Sequence, residues 1–206
     1  MAKSIVVISG GLAVPSTSRM LGDQIAEAAR RALAERGVES EVVAIDLRDY
    51  AVDIANNMVT RYAAPRLADV ISKVAAADAL VAVSPVFTAS VSGLFKSFLD
   101  VLDPKALEGK PVVLAATGGS SRHSMVLDYV MRPIFGYLRA AITPTGVFAS
   151  PEDWGGDTGG GMLSERAARA AAELASAVEG AASAKPVDTR MESLPFEQLL
   201  GNITPV

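Results

Sequence analysis

Two hydrophobic periods alternate along this chain. Short apolar, β-rich runs occur at SIVVIS (4–9), EVVAI (41–45), ALVAVS (79–84), PVVLAAT (111–117) and, more loosely, ITPTGVFA (142–149). Most of these runs are nearly continuous rather than alternating, which predicts strands covered on both faces. The segments between them follow helical spacing. Within 17–36, Leu21, Ile25, Ala28, Ala29 and Ala32 form one stripe, and Gly37 supplies a stop. Further helices are expected over 65–77, 91–103, 124–140 and 162–183. Strands alternating with helices predict an α/β fold with a doubly wound parallel sheet. Right-handed crossovers bring the carboxyl ends of the strands to one edge, where ligands of such sheets bind.

That edge selects loops before any chemistry is considered: 9–19, 84–92 and 117–125, then the Gly-rich SPEDWGGDTGGGM at 150–162. The last reads as an open stretch whose Trp154 borders or covers a cleft, or as a merely mobile loop. From Lys185 onward the tail holds three of the 11 prolines and reads as an extended arm. The expected organisation is one domain over 1–184 and a C-terminal arm over 185–206.

Composition narrows the function classes. The 206 residues are 50% hydrophobic and 20% charged, with net charge −4 and no cluster of Lys or Arg, which argues against nucleic acid as a partner. No apolar run reaches the roughly 18 to 20 residues that span a bilayer, so no membrane association is expected. The opening MAKSIVVISGG is too short in its apolar part for a signal peptide, and the cytoplasm is the expected location. With no cysteine and one histidine, thiol nucleophiles are excluded and a zinc or other metal site is not expected.

The first loop, SGGLAVPSTSRML, ends a strand in glycines and opens a helix with Ser16, Thr17 and Ser18. Any of the three hydroxyls can cap the helix. The same helix start offers unpaired N–H groups to an anion, and Arg19 adds a charge. Neither GxGxxG nor GxxxxGK[ST] is present, so what remains is a loop suited to a monophosphate or a plain capped turn. In SPVFTASVSGLFKSFLD (84–100), Pro85 suits an exposed loop and Phe87 lies against a planar ring, a neighbouring subunit or the core. Lys96 and Asp100 read as an ordinary i,i+4 pair. In ATGGSSRHSM (116–125), Thr117, Gly118 and Gly119 offer main-chain donors and room for a flat ligand. His123 reads as a surface residue, since no GxSxG elbow accompanies it. No catalytic side chain is singled out.

Taken together, the three loops resemble those of the NAD(P)H-dependent FMN reductases of the flavodoxin-like superfamily. The chain is most similar to the sulfonate-utilisation type, above all in ATGGSSRHSMVLDYVMRPIFGYLRAAITPTGVFA. The resemblance covers about residues 3–180. It implies a three-layer flavodoxin-like sandwich with a five-stranded parallel sheet in the order 2-1-3-4-5. It also implies hydride transfer from NAD(P)H to FMN, with FMNH2 passing to a partner flavin-dependent monooxygenase. A homodimer or homotetramer is implied as well. By position, Gly11, Ser16, Thr17, Ser18 and Arg19 are expected around the FMN phosphate, with Pro85, Val86 and Phe87 beside the ring and ribityl chain. Thr117, Gly118, Gly119 and Ser120 are expected against the ring.

Two departures stand out. Many relatives carry GS-x-R in the first loop, where this chain has Gly11 and Ala13, and Phe87 stands where tyrosine is common. A phosphate loses one hydroxyl and one charge, which suggests looser flavin retention, as suits a protein using FMN as a substrate. Other readings are a flavoprotein that keeps FMN and reduces quinones, azo compounds or metal oxyanions, and a flavodoxin-like electron carrier. Tyr129, four residues before Pro133, lies either in a local helix irregularity or in an ordinary helix as an interface or core aromatic. Arg19, Arg122 and Arg139 are the candidates for reading a 2′-phosphate on NADPH.

Overall fold

The computed structural model describes residues 2–181, and for 156–159 the backbone alone. The expected arm over 185–206 lies outside the described residues. The strands are β1 (Lys3–Ser9), β2 (Ser40–Asp46), β3 (Ala79–Phe87), β4 (Ser90–Val91), β5 (Pro111–Thr117), β6 (Ala141–Ile142) and β7 (Val147–Ala149). The helices are α1 (Thr17–Ala34), α2 (Ala51–Thr60), α3 (Pro65–Ala76), α4 (Gly93–Asp100), α5 (Arg132–Tyr137) and α6 (Gly156–Gly180). The sheet runs β2-β1-β3-β5, and both β6 and β7 pair with β5. All these pairings are parallel; only the short β4 folds back antiparallel on β3. With β6 and β7 counted as one interrupted strand, this is the flavodoxin-like order.

Alternation along the strands divides the core into two layers. Val6, Ile8, Leu80, Ala82, Val112 and Leu114 face α2 to α5, where Phe95, Phe98 and Phe135 are fully buried. Ile5, Val7, Val81, Val83, Val113 and Ala115 face α1 and α6. The helices bring both large and small residues to that second layer, the small ones including Ala29, Ala167, Ala170 and Ala171. Gly22 is the closest point: a Cβ there would lie 2.6 Å from Val7 Cγ1. Glycine thus lets α1 settle onto the strands whose ends form the loops.

Four expectations need correction. The anticipated strand over 142–149 is two pieces. Pro144 has no N–H for a ladder, and the Thr145 N–H and hydroxyl both turn away to Glu173, at 2.7 and 2.6 Å. α2 was not anticipated, nor was the 3₁₀ turn Leu47–Tyr50 before it. Only Ile54 and Asn57 of α2 are buried, too few to mark out a clear apolar stripe. Val91, expected in a helix, pairs with Val86 instead, and α4 begins two residues later. The Gly-rich 150–162 is not an open loop: a 3₁₀ turn covers Pro151–Trp154 and α6 starts at Gly156.

The helix expected over 124–140 is interrupted, as Pro133 suggested. Residues Leu127–Met131 form a π-helical turn in which the Arg132 N–H reaches back five residues to the Leu127 carbonyl. Tyr129 sits in this turn and is 75% exposed. Among the described residues, no helix is long and apolar enough to cross a membrane.

Candidate functional site

The carboxyl ends of β1, β3, β5 and β7 converge on a cleft of ≈ 460 Å³. Its wall contains Thr17 from the first loop, Pro85, Val86 and Phe87 from the second, and Thr117, Gly118 and Gly119 from the third. Ala149, Ser150, Pro151 and Trp154 close the remaining side. Among the described residues, the wall carries no charged side chain. A shallow apolar slot with main-chain polar groups suits a flat heterocycle.

The first loop is built around a cap. Ser16 takes an extended backbone and its Oγ accepts the Arg19 N–H at 3.2 Å. Gly11 lies directly against that hydroxyl: a Cβ on residue 11 would come 2.1 Å from Ser16 Oγ. The space a serine would use at position 11 is therefore filled by the hydroxyl of Ser16. Ser18 is buried, and its hydroxyl lies 2.7 Å from that of Thr117. Arg19 does not extend toward the loop. Its Nε donates to Asp23 at 2.7 Å and its Nη1 to Asp46 at 2.8 Å. Burial works against its charge, but the two carboxylates more than offset this and raise the guanidinium above its ordinary value. Gly11, Ser16, Ser18 and Arg19 thus shape the loop from behind, while Thr17 faces the cleft.

The second loop is a tight hairpin. Val86 pairs with Val91 and Phe87 with Ser90, leaving Thr88 and Ala89 as the two-residue turn. Both have left-handed backbones, with φ of 48° and 60°. Such turns ordinarily take Asn or Gly, and a β-branched residue there is strained. The base is locked by the Ser92 N–H, which donates to Ser84 Oγ at 2.9 Å. Phe87 stands out from this hairpin, 44% exposed, rather than in the core.

In the third loop the Gly118 N–H is already taken by the Ala149 carbonyl, at 3.0 Å. Main-chain donors at this loop that could face a ligand therefore come after it. Gly118 is itself enclosed: a Cβ would lie 2.9 Å from Phe148 Cζ. Ser120 turns away to cap the 3₁₀ turn Ser121–His123, accepting the Arg122 N–H at 3.3 Å. His123 is exposed on that turn. Of the three arginines considered for a 2′-phosphate, Arg19 is paired as above and Arg139 pairs with Glu108 at 3.2 Å. Arg122 is exposed beside the third loop.

The fourth side was only partly legible, through Trp154. Ser150 donates both its N–H and its hydroxyl to Asp153 Oδ2, each at 2.8 Å, and Arg166 meets Oδ1 at 2.5 Å. Burial would raise the Asp153 carboxyl. The bonds from the Ser150 N–H, Arg166 and the Ser150 hydroxyl together hold it below the usual carboxylate range. This clamp fixes the turn carrying Pro151 and Trp154. Its sequence signal is Ser150-x-x-Asp153, a capping box.

Comparison with known proteins agrees with this geometry. The family model for NADPH-dependent FMN reductase matches residues 4–155. An FMN reductase (NADPH) of Pseudomonas aeruginosa is 36% identical over 73% of this chain and 78% of its own. The NADH-dependent FMN reductase SfnF of Pseudomonas putida is 35% identical over 72% of this chain and 77% of its own. Among solved structures, an oxidoreductase from Corynebacterium diphtheriae superposes with TM-score 0.85 at 45% identity, covering 88% of this chain and 99% of that one. By this match and these relatives, the chain belongs to the NADPH-dependent FMN reductase family.

Proposed function

We propose that the cleft holds the FMN ring between the Pro85–Phe87 hairpin and Gly118–Gly119, with the phosphate at the start of α1. The observation that carries this reading is the convergence of loops after β1, β3, β5 and β7 on one uncharged slot. The residues fit the group: Gly119, with nothing within 4 Å of where a Cβ would lie, leaves room for a ring, and the α1 N-terminus with Thr17 suits an anion. As a member of its family, the chain is an NAD(P)H-dependent FMN oxidoreductase. Bound there, FMN accepts the hydride of a reduced nicotinamide, chemistry that the two nucleotides supply between themselves.

The protein's own work is positional. The exposed Phe87 and the half-buried Trp154 offer apolar surface at the cleft, and the uncharged wall leaves the bound ring's charge distribution to main-chain dipoles. A flavin-dependent monooxygenase would be the consumer of the FMNH2 released from this cleft. Support comes from a cleft open to solvent and from a first loop whose own arginine is held by two carboxylates. The exposed Tyr129 and Tyr137 favour a homodimer or homotetramer, and the cytoplasm remains the expected location.

Steady-state oxidation of NADH and NADPH by flavin-stripped protein, with and without added FMN, tests this. Turnover that saturates with free FMN and sequential kinetics are expected. Stoichiometric flavin retained through gel filtration, with ping-pong kinetics, would reject FMN as a released substrate.

A further inference from the structure

A dianionic phosphate at the first loop would gain from a cation beside the α1 N-terminus, and Arg19 does not supply one. Its guanidinium lies between Asp23 and Asp46, a set that carries a net negative charge. A second arginine reaches the same loop from outside it. Arg48 belongs to the 3₁₀ turn Leu47–Tyr50, which follows β2 directly, and β2 lies beside β1 in the sheet. The turn therefore emerges next to the loop after β1. Arg48 Nη1 donates to the Ala13 carbonyl at 2.8 Å, across 35 positions of sequence. Ala13 is in the middle of the loop that leads to the α1 cap.

From this we infer that Arg48 is the cation of the phosphate subsite, a charge delivered by the β2 edge rather than by the loop itself. The inference rests on the FMN reading above and deepens it. The side chain is 28% exposed, so its charge is neither free in solvent nor buried away from a ligand. Among the described residues its carboxylate partner is Asp49, whose Oδ1 is 3.5 Å from Nε, beyond good hydrogen-bond length. A guanidinium has five N–H donors, and a single well-formed bond leaves most of its fork for phosphate oxygens. The bond to Ala13 also holds the guanidinium at the loop before any ligand arrives, which lowers the ordering cost of binding.

Riboflavin shares the ring and ribityl chain of FMN but lacks the phosphate, so comparing the two isolates the subsite. Dissociation constants for FMN and riboflavin are measured by fluorescence quenching for the wild type, Arg48→Ala and Arg48→Lys at low and high salt. Wild type is expected to prefer FMN. Arg48→Ala raises the FMN constant about tenfold, as for loss of one charge-assisted bond, with the riboflavin constant unchanged within about twofold. Arg48→Lys, which keeps the charge without the fork, falls between. The difference narrows with added salt.

Equal weakening of FMN and riboflavin in Arg48→Ala would make Arg48 a brace of the Ala13 carbonyl alone and overturn the proposal. So would an unchanged FMN constant, or a wild type that binds both flavins equally. A wild type that binds neither flavin rejects the FMN reading itself, a separate and recognisable result.

Discussion

The hydroxyls of Ser18 and Thr117 lie 2.7 Å apart in a buried contact that joins the start of α1 to the end of β5. The contact spans 99 positions of sequence and ties the first loop to the third. Removing one partner leaves the other buried and unpaired, which costs about 1–3 kcal/mol. Ser18→Ala and Thr117→Val are each expected to lower the unfolding free energy, read from urea denaturation, by that amount. The double variant is expected to lose clearly less than the sum, as a double-mutant cycle would show. Strict additivity would mean that the two hydroxyls do not depend on each other.

Gly11 makes a sharper prediction, because a methyl there would lie 2.1 Å from Ser16 Oγ. Gly11→Ala is expected to push the loop open and weaken FMN binding more than tenfold. Adding Ser16→Ala removes the clashing oxygen, and the remaining Cβ at 3.3 Å is tolerable. The double variant is thus expected to bind FMN better than Gly11→Ala alone, despite losing a helix cap that ordinarily contributes about 1 kcal/mol. Titration of FMN into the three proteins checks this order.

The hairpin tip stores strain that can be removed. Ala89 holds φ of 60°, a conformation glycine adopts without steric cost. Ala89→Gly is expected to stabilise the protein by about 0.5–1 kcal/mol. Thermal melting with and without FMN reads this out. A lower Tm would show that the methyl makes a contact worth more than the strain.

Acid should destabilise the fold through two clamped carboxylates. Burial would raise Asp78, but hydrogen bonds from Lys3 and the Ser4 N–H, helped by the charges of Lys3 and Lys110, keep it below the ordinary range. Asp153 is depressed in the same sense. The unfolded chain therefore binds protons at higher pH than the folded one. The stabilisation is complete above the unfolded carboxyl pKa of about 3.9 and is lost as pH falls through the lower folded values. Urea midpoints between pH 7 and pH 2.5 are expected to fall more steeply for wild type than for Asp78→Asn or Asp153→Asn. Parallel curves would refute the assignment.

Much of this was legible because burial on both faces writes itself plainly. β1, β3 and β5 are uninterrupted apolar runs, and their ends place the loops. Thr17, Pro85, Val86, Phe87, Thr117, Gly118 and Gly119, picked from those loops, share one cleft. What pattern alone did not show was which group each polar residue answers to. Ser18 and Arg19 look alike in sequence as ligands for an anion, but one meets Thr117 and the other two carboxylates. Arg48 had no signal, since its partner is a main-chain carbonyl and proximity across β1 and β2 is a property of the sheet. α2 escaped for want of buried positions, and the split of the last strand turned on Glu173, a residue of α6.

That split has a consequence for how copies of the protein can meet. An outer strand normally offers a row of unpaired amides that another chain can extend. Here the outermost position holds two short pieces separated by Thr143–Gly146, with Pro144 between them and Arg132 donating to the Pro144 carbonyl at 2.6 Å. Among the described residues, no continuous template for strand addition exists on this side. Association here has to proceed through side chains rather than by extending the sheet, which guards this margin against open-ended polymerisation.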